Sequence, residues 1–466
     1  MVPSSSLACL TVSALLVPFC FSPSDLWPFV LVSQLLLFFA ILGVTPRWAF
    51  YVGLAHGTVG YGLTLSWFTN IFGWRAVGLF MMLGLFTAVQ CLATRAIVAR
   101  NRPGVIRAVA VAVIWVGIEF YRCELFYLRF PWVTTGTAIG PTALSPIVGV
   151  YGTSFLAVLG CACTIPKETR RYGYLLLALL LLLGVVRLPS VELTPADSVS
   201  VALVQDESSL LDVYTEYTEK LLAESRPDLV VWPEYAVTDP RDRRAALARV
   251  TALCERTGVV LVYGTRTQVV GGPDWWNTAR TVDASGVRGD YHKARPVHLF
   301  NDGVPGRRFD AIETAVGTIG TPICFDCDYT EVLRQITANG AEFFAVPSRD
   351  NEEWSERQHW QHAQLFRLRA AENGRWIACA ASSGVSQLID PHGNVTAQLD
   401  ALEEGTLVGR VGRDRRRTWF VRGGWVLPWV ILGGAVGVAL YLLVTLIRER
   451  RAKEAEITPG LLEYPD

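Results

Sequence analysis

The stretch Asp228-Leu-Val-Val-Trp-Pro-Glu234 decides how the polar half of this chain is read. Three consecutive aliphatic residues with no polar partner fit a strand buried on both faces, as in parallel sheets covered by helices. The proline after Trp232 does not sit within a central strand. Glu234 is therefore placed at the strand's carboxyl end, where α/β sheets assemble their sites. Outward from it, β-rich runs at 198–205, 259–265, 278–283, 316–326, 343–348, 376–382 and 387–391 alternate with segments of helical character at 207–225, 239–257, 328–339 and 355–373. Such alternation predicts a layered α/β domain over residues 191–425.

The rest of the chain is of another kind. Of its 466 residues 51% are apolar and 18% charged, against about a quarter charged in soluble proteins. The deficit is local. Apolar segments near 7–22, 26–44, 49–72, 76–98, 105–121, 142–165, 172–189 and 426–447 read as about eight transmembrane helices. The first lacks a basic leader and a small-residue cleavage site, so it reads as a retained helix. The expected organisation is a seven-helix membrane domain at 1–190, the α/β domain at 191–425, a last helix at 426–447, and a charged cytoplasmic tail without fixed structure at 448–466. With both ends inside, twelve Lys and Arg fall in internal segments and three (Arg75, Arg122 and Arg129) in short external ones. Positive residues stay on the cytoplasmic side, which puts 191–425 outside the cytoplasm.

Formal net charge is zero and no basic stripe is interleaved with aromatics, so nucleic acid is not an expected partner. The ten cysteines are scattered and form no disulfide framework. Cys324-Phe-Asp-Cys327 has no second CxxC to complete a zinc site, and no metal or cofactor is expected. His359 and His362, three apart on a helix, read as a solvated face, and Cys327 as packing.

Three residues stand at or near strand ends in separate segments: Glu234; Lys293 in Asp290-Tyr-His-Lys-Ala-Arg; and Cys324 in Gly317-Thr-Ile-Gly-Thr-Pro-Ile-Cys-Phe-Asp. A thiol at a strand-to-helix turn is expected to gain acidity from the helix N-terminus. Alone, each is weak: a capping Glu, a solvated Lys and an inert buried Cys are common. Their ordered combination, Trp-Pro-Glu, Tyr-x-Lys and Ile-Cys-Phe-Asp, resembles the nitrilase (carbon–nitrogen hydrolase) superfamily, whose members use a Glu–Lys–Cys triad in that order.

The membrane frame extends the resemblance. Such a domain between the seventh and eighth of eight spans is similar to the apolipoprotein N-acyltransferase family. Supporting stretches are Phe130-Pro-Trp132, Gly149-Val-Tyr-Gly-Thr-Ser-Phe155, Gln361-His-Ala-Gln-Leu-Phe-Arg-Leu-Arg-Ala-Ala-Glu372 and Ala380-Ala-Ser-Ser-Gly384. The resemblance implies an αββα sandwich on a helical bundle, in a monomer of the bacterial inner membrane with its catalytic domain on the periplasmic side. It implies ping-pong acyl transfer: Glu234 as general base, Cys324 as nucleophile toward a phospholipid acyl donor, and Lys293 with the backbone N–H of Phe325 as oxyanion donors. The acceptor would be the α-amine of a diacylglyceryl apolipoprotein. A membrane-tethered amidase or hydrolase, with water replacing the amine, is the alternative.

The pattern is not complete. The family shows a Glu eight residues after the triad Lys; here that position is Asn301, with Asp302 beside it, and either is a substitute. After the nucleophile, Phe325-Asp326 stands where Tyr-Glu is common. Trp275, Trp276, Phe300, Trp354 and Trp360 are candidates to line a route for membrane lipids, and Glu119 is an intramembrane carboxyl of interest.

Overall fold

The computed structural model describes residues 3–239 and 242–457. Among the described residues twelve strands run in chain order: β1 (Ser198–Gln205), β2 (Leu229–Val231), β3 (Val260–Gln268), β4 (Trp275–Asp283), β5 (Gly286–His292), β6 (Ile312–Thr314), β7 (Gly317–Gly320), β8 (Phe343–Ser348), β9 (Ile377–Ala381), β10 (Ser386–Ile389), β11 (Val395–Leu399) and β12 (Gly405–Gly412). They form two six-stranded mixed sheets, ordered β12-β1-β2-β3-β4-β5 and β11-β10-β9-β8-β7-β6.

Alternation along each strand divides the side chains between two layers. Val199, Val201 and Leu203 of β1 meet Phe343 and Ala345 of β8 in the core between the sheets. Ala202 and Val204 face the other way, onto helices Leu211–Glu224 and Asp242–Thr257. Phe344 and Val346 of β8 likewise face helices Thr330–Ala338 and Glu356–Asn373. Because both faces of the central strands are covered, β2, β8 and β9 are buried along their whole length, and the layers stack as an αββα sandwich.

Eight spans were expected, and the helices found there differ in length. By length and composition, Phe68–Val98, Gly104–Leu125, Ser145–Cys163 and Gly424–Glu454 are suited to crossing a membrane; Ser4–Cys20 and Pro28–Leu42 are apolar but shorter. Pro46–Thr64 and Arg170–Val185 are helical as well. The tail does not lose structure after 448 as expected: the last helix runs on through Ile457. Residues 458–466 lie outside the described residues.

The two parts meet through specific bonds. Helix Ser145–Cys163 is kinked at Gly149, whose φ is +67° and where a Cβ would sit 2.6 Å from the Phe420 ring. The kink leaves the Val150 N–H without a helical acceptor, and it donates instead to Glu372 Oε1 at 2.7 Å, from helix Glu356–Asn373. Tyr329 Oη donates to the Arg129 carbonyl at 3.0 Å, and Thr330 Oγ1 to Glu124 Oε1 at 3.0 Å. Glu119, near the end of helix Gly104–Phe120, is buried and accepts from the Thr135 N–H.

Candidate active site

Glu234 follows β2 by three residues, Lys293 directly follows β5, and Cys324 opens a short 3-10 turn, Cys324–Asp328, after β7. The sheet termini thus deliver all three to one cavity, which they line together. Each is at least 95% buried. Cys324 holds φ at +46°, a left-handed conformation that a branched chain rarely adopts and that marks a tightly constrained turn. Close approach is needed opposite Glu234 too: a Cβ on Gly264 would lie 2.5 Å from the Glu234 Cα.

Lys293 Nζ sits between two carboxylates, 2.8 Å from Glu234 Oε1 and 2.8 Å from Asp302 Oδ2. Burial opposes its charge, but Asp302 and Glu234 outweigh burial and hold the ammonium well above its ordinary range. Asp302 is further fixed by the Val297 N–H at 2.8 Å, by Asn277 Nδ2 at 2.8 Å and by the Tyr235 hydroxyl. The same Asn277 amide donates to Glu234 Oε1. Of the two residues left open by the sequence, Asp302 therefore occupies the second carboxylate position, while Asn301 is exposed at the cavity rim. Against burial, Lys293 keeps Asp302 below its usual value. Burial pushes Glu234 up, with Asp302 adding to that push and Lys293 opposing it.

The expected acidic thiol is not found. Burial first, then the Glu234 carboxylate, push Cys324 well above the ordinary thiol value, and Lys293 offsets them only in part. The turn after Cys324 is too short and too enclosed for a helix N-terminus to dominate. The thiol donates to the Arg349 carbonyl at 3.5 Å. Phe325 lines the cavity. Asp326 buttresses the turn, accepting from Tyr291 Oη at 2.9 Å and from the N–H groups of Arg295 and Ile323 at 2.8 and 3.1 Å. Burial raises its carboxyl to about 6.

Phe300 and Trp354 line the cavity, their rings 5.6 Å apart. Trp275 and Trp276 do not: on β4, Trp275 lies edge-on to Tyr235 under Arg266, and Trp276 stacks on His292 at 4.4 Å. Trp360 is not among the lining residues either.

The reading of His359 and His362 as a solvated face is overturned, since both are buried. His362 Nδ1 is 2.8 Å from Asp350 Oδ1 and its Nε2 3.2 Å from Asp328 Oδ1. Its ring stacks on Trp132 from the membrane part, with centroids 5.4 Å apart and planes 11° apart, and Trp132 Nε1 donates to Asp328 Oδ2. Burial opposes protonation, but Asp350 and Asp328 overcome it and raise the imidazole to about 10. His359 Nε2 lies 3.1 Å from the Asn351 carbonyl, and His362 is covered by Trp132, so what buries both comes from elsewhere in the chain, which no periodicity within the helix reveals.

Comparison with known proteins fits both halves. Residues 190–420 match the carbon–nitrogen hydrolase family model, and residues 13–163 match the apolipoprotein N-acyltransferase N-terminal domain. The chain belongs to the apolipoprotein N-acyltransferase family. A relative of that name from Pseudomonas paraeruginosa is 27% identical over 486 residues, covering 90% of this chain and 94% of its own. Another from Azotobacter vinelandii is 28% identical over 508 residues, covering 96% and 95%. Among solved structures, an amidase from Nesterenkonia sp. aligns with a TM-score of 0.41 at 21% identity, over 50% of this chain and 96% of that one. The family's N-terminal model ends at residue 163, so the bonds from Trp132 and Val150 to the sandwich join the two matched regions.

Proposed function

We propose that this chain moves an acyl chain from a phospholipid, by way of a thioester on Cys324, to the α-amine of the S-diacylglyceryl cysteine of an apolipoprotein. The observation that carries this reading is the cavity itself. Cys324 opens onto a space of about 350 Å³ whose other walls are membrane-side residues, among them Trp67, Phe68, Met82, Leu83 and Phe130. A hydrolase of small amides has no use for an apolar channel running from its nucleophile into a membrane bundle.

In the first half-reaction the thiol proton passes to the Glu234 carboxylate as sulfur attacks the ester carbonyl. A thiol held so far above its usual value is protonated at rest, so proton removal accompanies attack. Lys293 and the Phe325 N–H stabilise the oxyanion. Glu234 then returns the proton to the departing lysophospholipid oxygen. In the second half-reaction the amine attacks the thioester, its proton goes to Glu234, and the thiol is restored. In this reading the catalytic domain works as a monomer at the outer face of the bacterial inner membrane, an orientation supported by the Lys and Arg asymmetry between internal and external segments.

Incubating the purified chain with phosphatidylethanolamine and measuring intact mass tests the reading. Wild type gains one acyl group and Cys324→Ala gains none; absence of the adduct on wild type would sink it. Adding a diacylglyceryl peptide then separates transfer from hydrolysis. Release of the acyl group as free fatty acid at the same rate with and without peptide would favour the hydrolase. The two candidates after Lys293 also separate: Asp302→Ala lowers turnover about a hundredfold or more, because it frees Lys293 from one of its two anchors, whereas Asn301→Ala changes it by less than about threefold.

A further inference from the structure

Two walls of the cavity come from the membrane side, and the residues just beyond its lining on each wall meet. One wall is helix Ala76–Val98, which contributes Leu79, Met82 and Leu83. That helix begins beside the catalytic loops, since Phe72 lies 6.3 Å from Phe300 and Asn70 Nδ2 donates to the Trp354 carbonyl at 3.4 Å. Higher residue numbers therefore lie farther from Cys324. The spacing 79, 82, 83 is one helical face, and Phe86 is the next residue on it, about 4.5 Å beyond Leu83 along the axis.

The opposite wall is the stretch after helix Gly104–Phe120. Trp132, Phe130 and Leu128 line the cavity, each two residues from the next, and Phe126 follows in that series. The two series meet. The Phe86 and Phe126 rings pack edge to face with centroids 5.2 Å apart, and Tyr121 packs against both, at 6.5 Å from Phe86 and 6.3 Å from Phe126.

We infer that the Phe86–Phe126–Tyr121 cluster is the stop that sets the length of acyl chain this chain accepts from a phospholipid. The inference rests on the acyl-transfer reading and adds the identity of the chain-length determinant. The stop acts by volume: a terminal methyl that reaches the rings is seated, and further methylenes must displace them or remain in the lipid. A chain two carbons too long must displace packed rings, which sets a discrimination of about tenfold.

The test offers the full-length chain in detergent an equimolar mixture of dimyristoyl, dipalmitoyl and distearoyl phosphatidylethanolamine and reads the acyl adducts on Cys324 by intact mass. Phe86→Ala is expected to raise the ratio of stearoyl to palmitoyl adduct about tenfold relative to wild type, because the overpacking is relieved. Leu79→Phe, which adds bulk to the same face nearer the nucleophile, shifts the ratio the other way, toward myristoyl. The second variant keeps the inference testable should Phe86→Ala fail to fold. Leu85→Ala, whose side chain is 47% exposed on the helix's outer face, leaves the ratio at the wild-type value. Adducts whose chain distribution is unchanged in both Phe86→Ala and Leu79→Phe overturn the inference. A wild type with no adduct overturns the acyl-transfer reading instead.

Discussion

Lys293→Met is expected to lower turnover by at least about a hundredfold and to cost about 3–5 kcal/mol of stability. In the proposed reaction, the rate loss follows from removing an oxyanion donor that is already in place before charge develops. The stability loss follows from what remains. Glu234 and Asp302, each bonded to Nζ at 2.8 Å, stay buried as two facing carboxylates without a cation. Breaking a buried ion pair by deleting one partner costs more than the pair contributes, because the survivor's desolvation is no longer offset. Glu234, already raised by burial, then rises further, and its carboxyl no longer accepts the thiol proton near neutrality. Residual acylation should therefore increase with pH in the variant. Adduct formation followed against pH, together with thermal unfolding, measures both effects. Lys220→Met, on the exposed side of helix Leu211–Glu224, should change neither.

The second large effect belongs to His362. With the folded imidazole raised from 6.5 to about 10, its ion pairs stabilise the native state fully below pH 6.5 and cease to do so as pH rises through about 10. Asp350 has the opposite sign. Its carboxyl is lowered from 3.8 against the push of burial, chiefly by His362, so its contribution is present above that value and is lost on acidification. Wild type should therefore lose apparent melting temperature steadily across the interval from 6.5 to about 10. His362→Gln removes the cation from between two buried carboxylates, and should unfold well below wild type near neutrality, by about 3 kcal/mol or more. It should also lose most of the alkaline slope. A variant whose melting temperature parallels wild type through the whole interval would show that the imidazole is neutral in the fold.

How much of this was legible in the sequence differs by residue, for physical reasons. Strands β1, β3 and β8 announce themselves because each carries a buried apolar run, Val201–Val204, Val260–Tyr263 and Phe343–Val346. β5 and β12 lie at the two edges of their sheet, carry Arg288, Asp290 and Arg410 among glycines, and read as loop. The positions of Glu234, Lys293 and Cys324 came from order and strand-end setting, which local pattern supplies. The thiol's protonation did not, because it depends on burial by residues far along the chain. Asp302 over Asn301 was undecidable from spacing: one residue's shift in a loop is invisible until Val297, Asn277 and Tyr235 are seen converging on one carboxylate. Trp275 and Trp276 were misplaced because aromatic character says nothing about which side of a paired strand meets the cavity.

Helix Glu356–Asn373 gives one further lesson through two adjacent residues. Gln361 accepts from Trp67 Nε1 at 3.0 Å and donates to the Thr64 carbonyl at 3.0 Å, while His362 carries Trp132 on its ring. Tyr329 and Thr330, directly after the turn bearing Cys324, are fastened to Arg129 and Glu124 in the same way. The two halves are therefore poor interchangeable modules. A hybrid joining this sandwich to another relative's membrane helices inherits mismatched hydrogen-bond partners at a seam a few residues from Cys324, and matching that seam, rather than the linker, decides whether such a hybrid works.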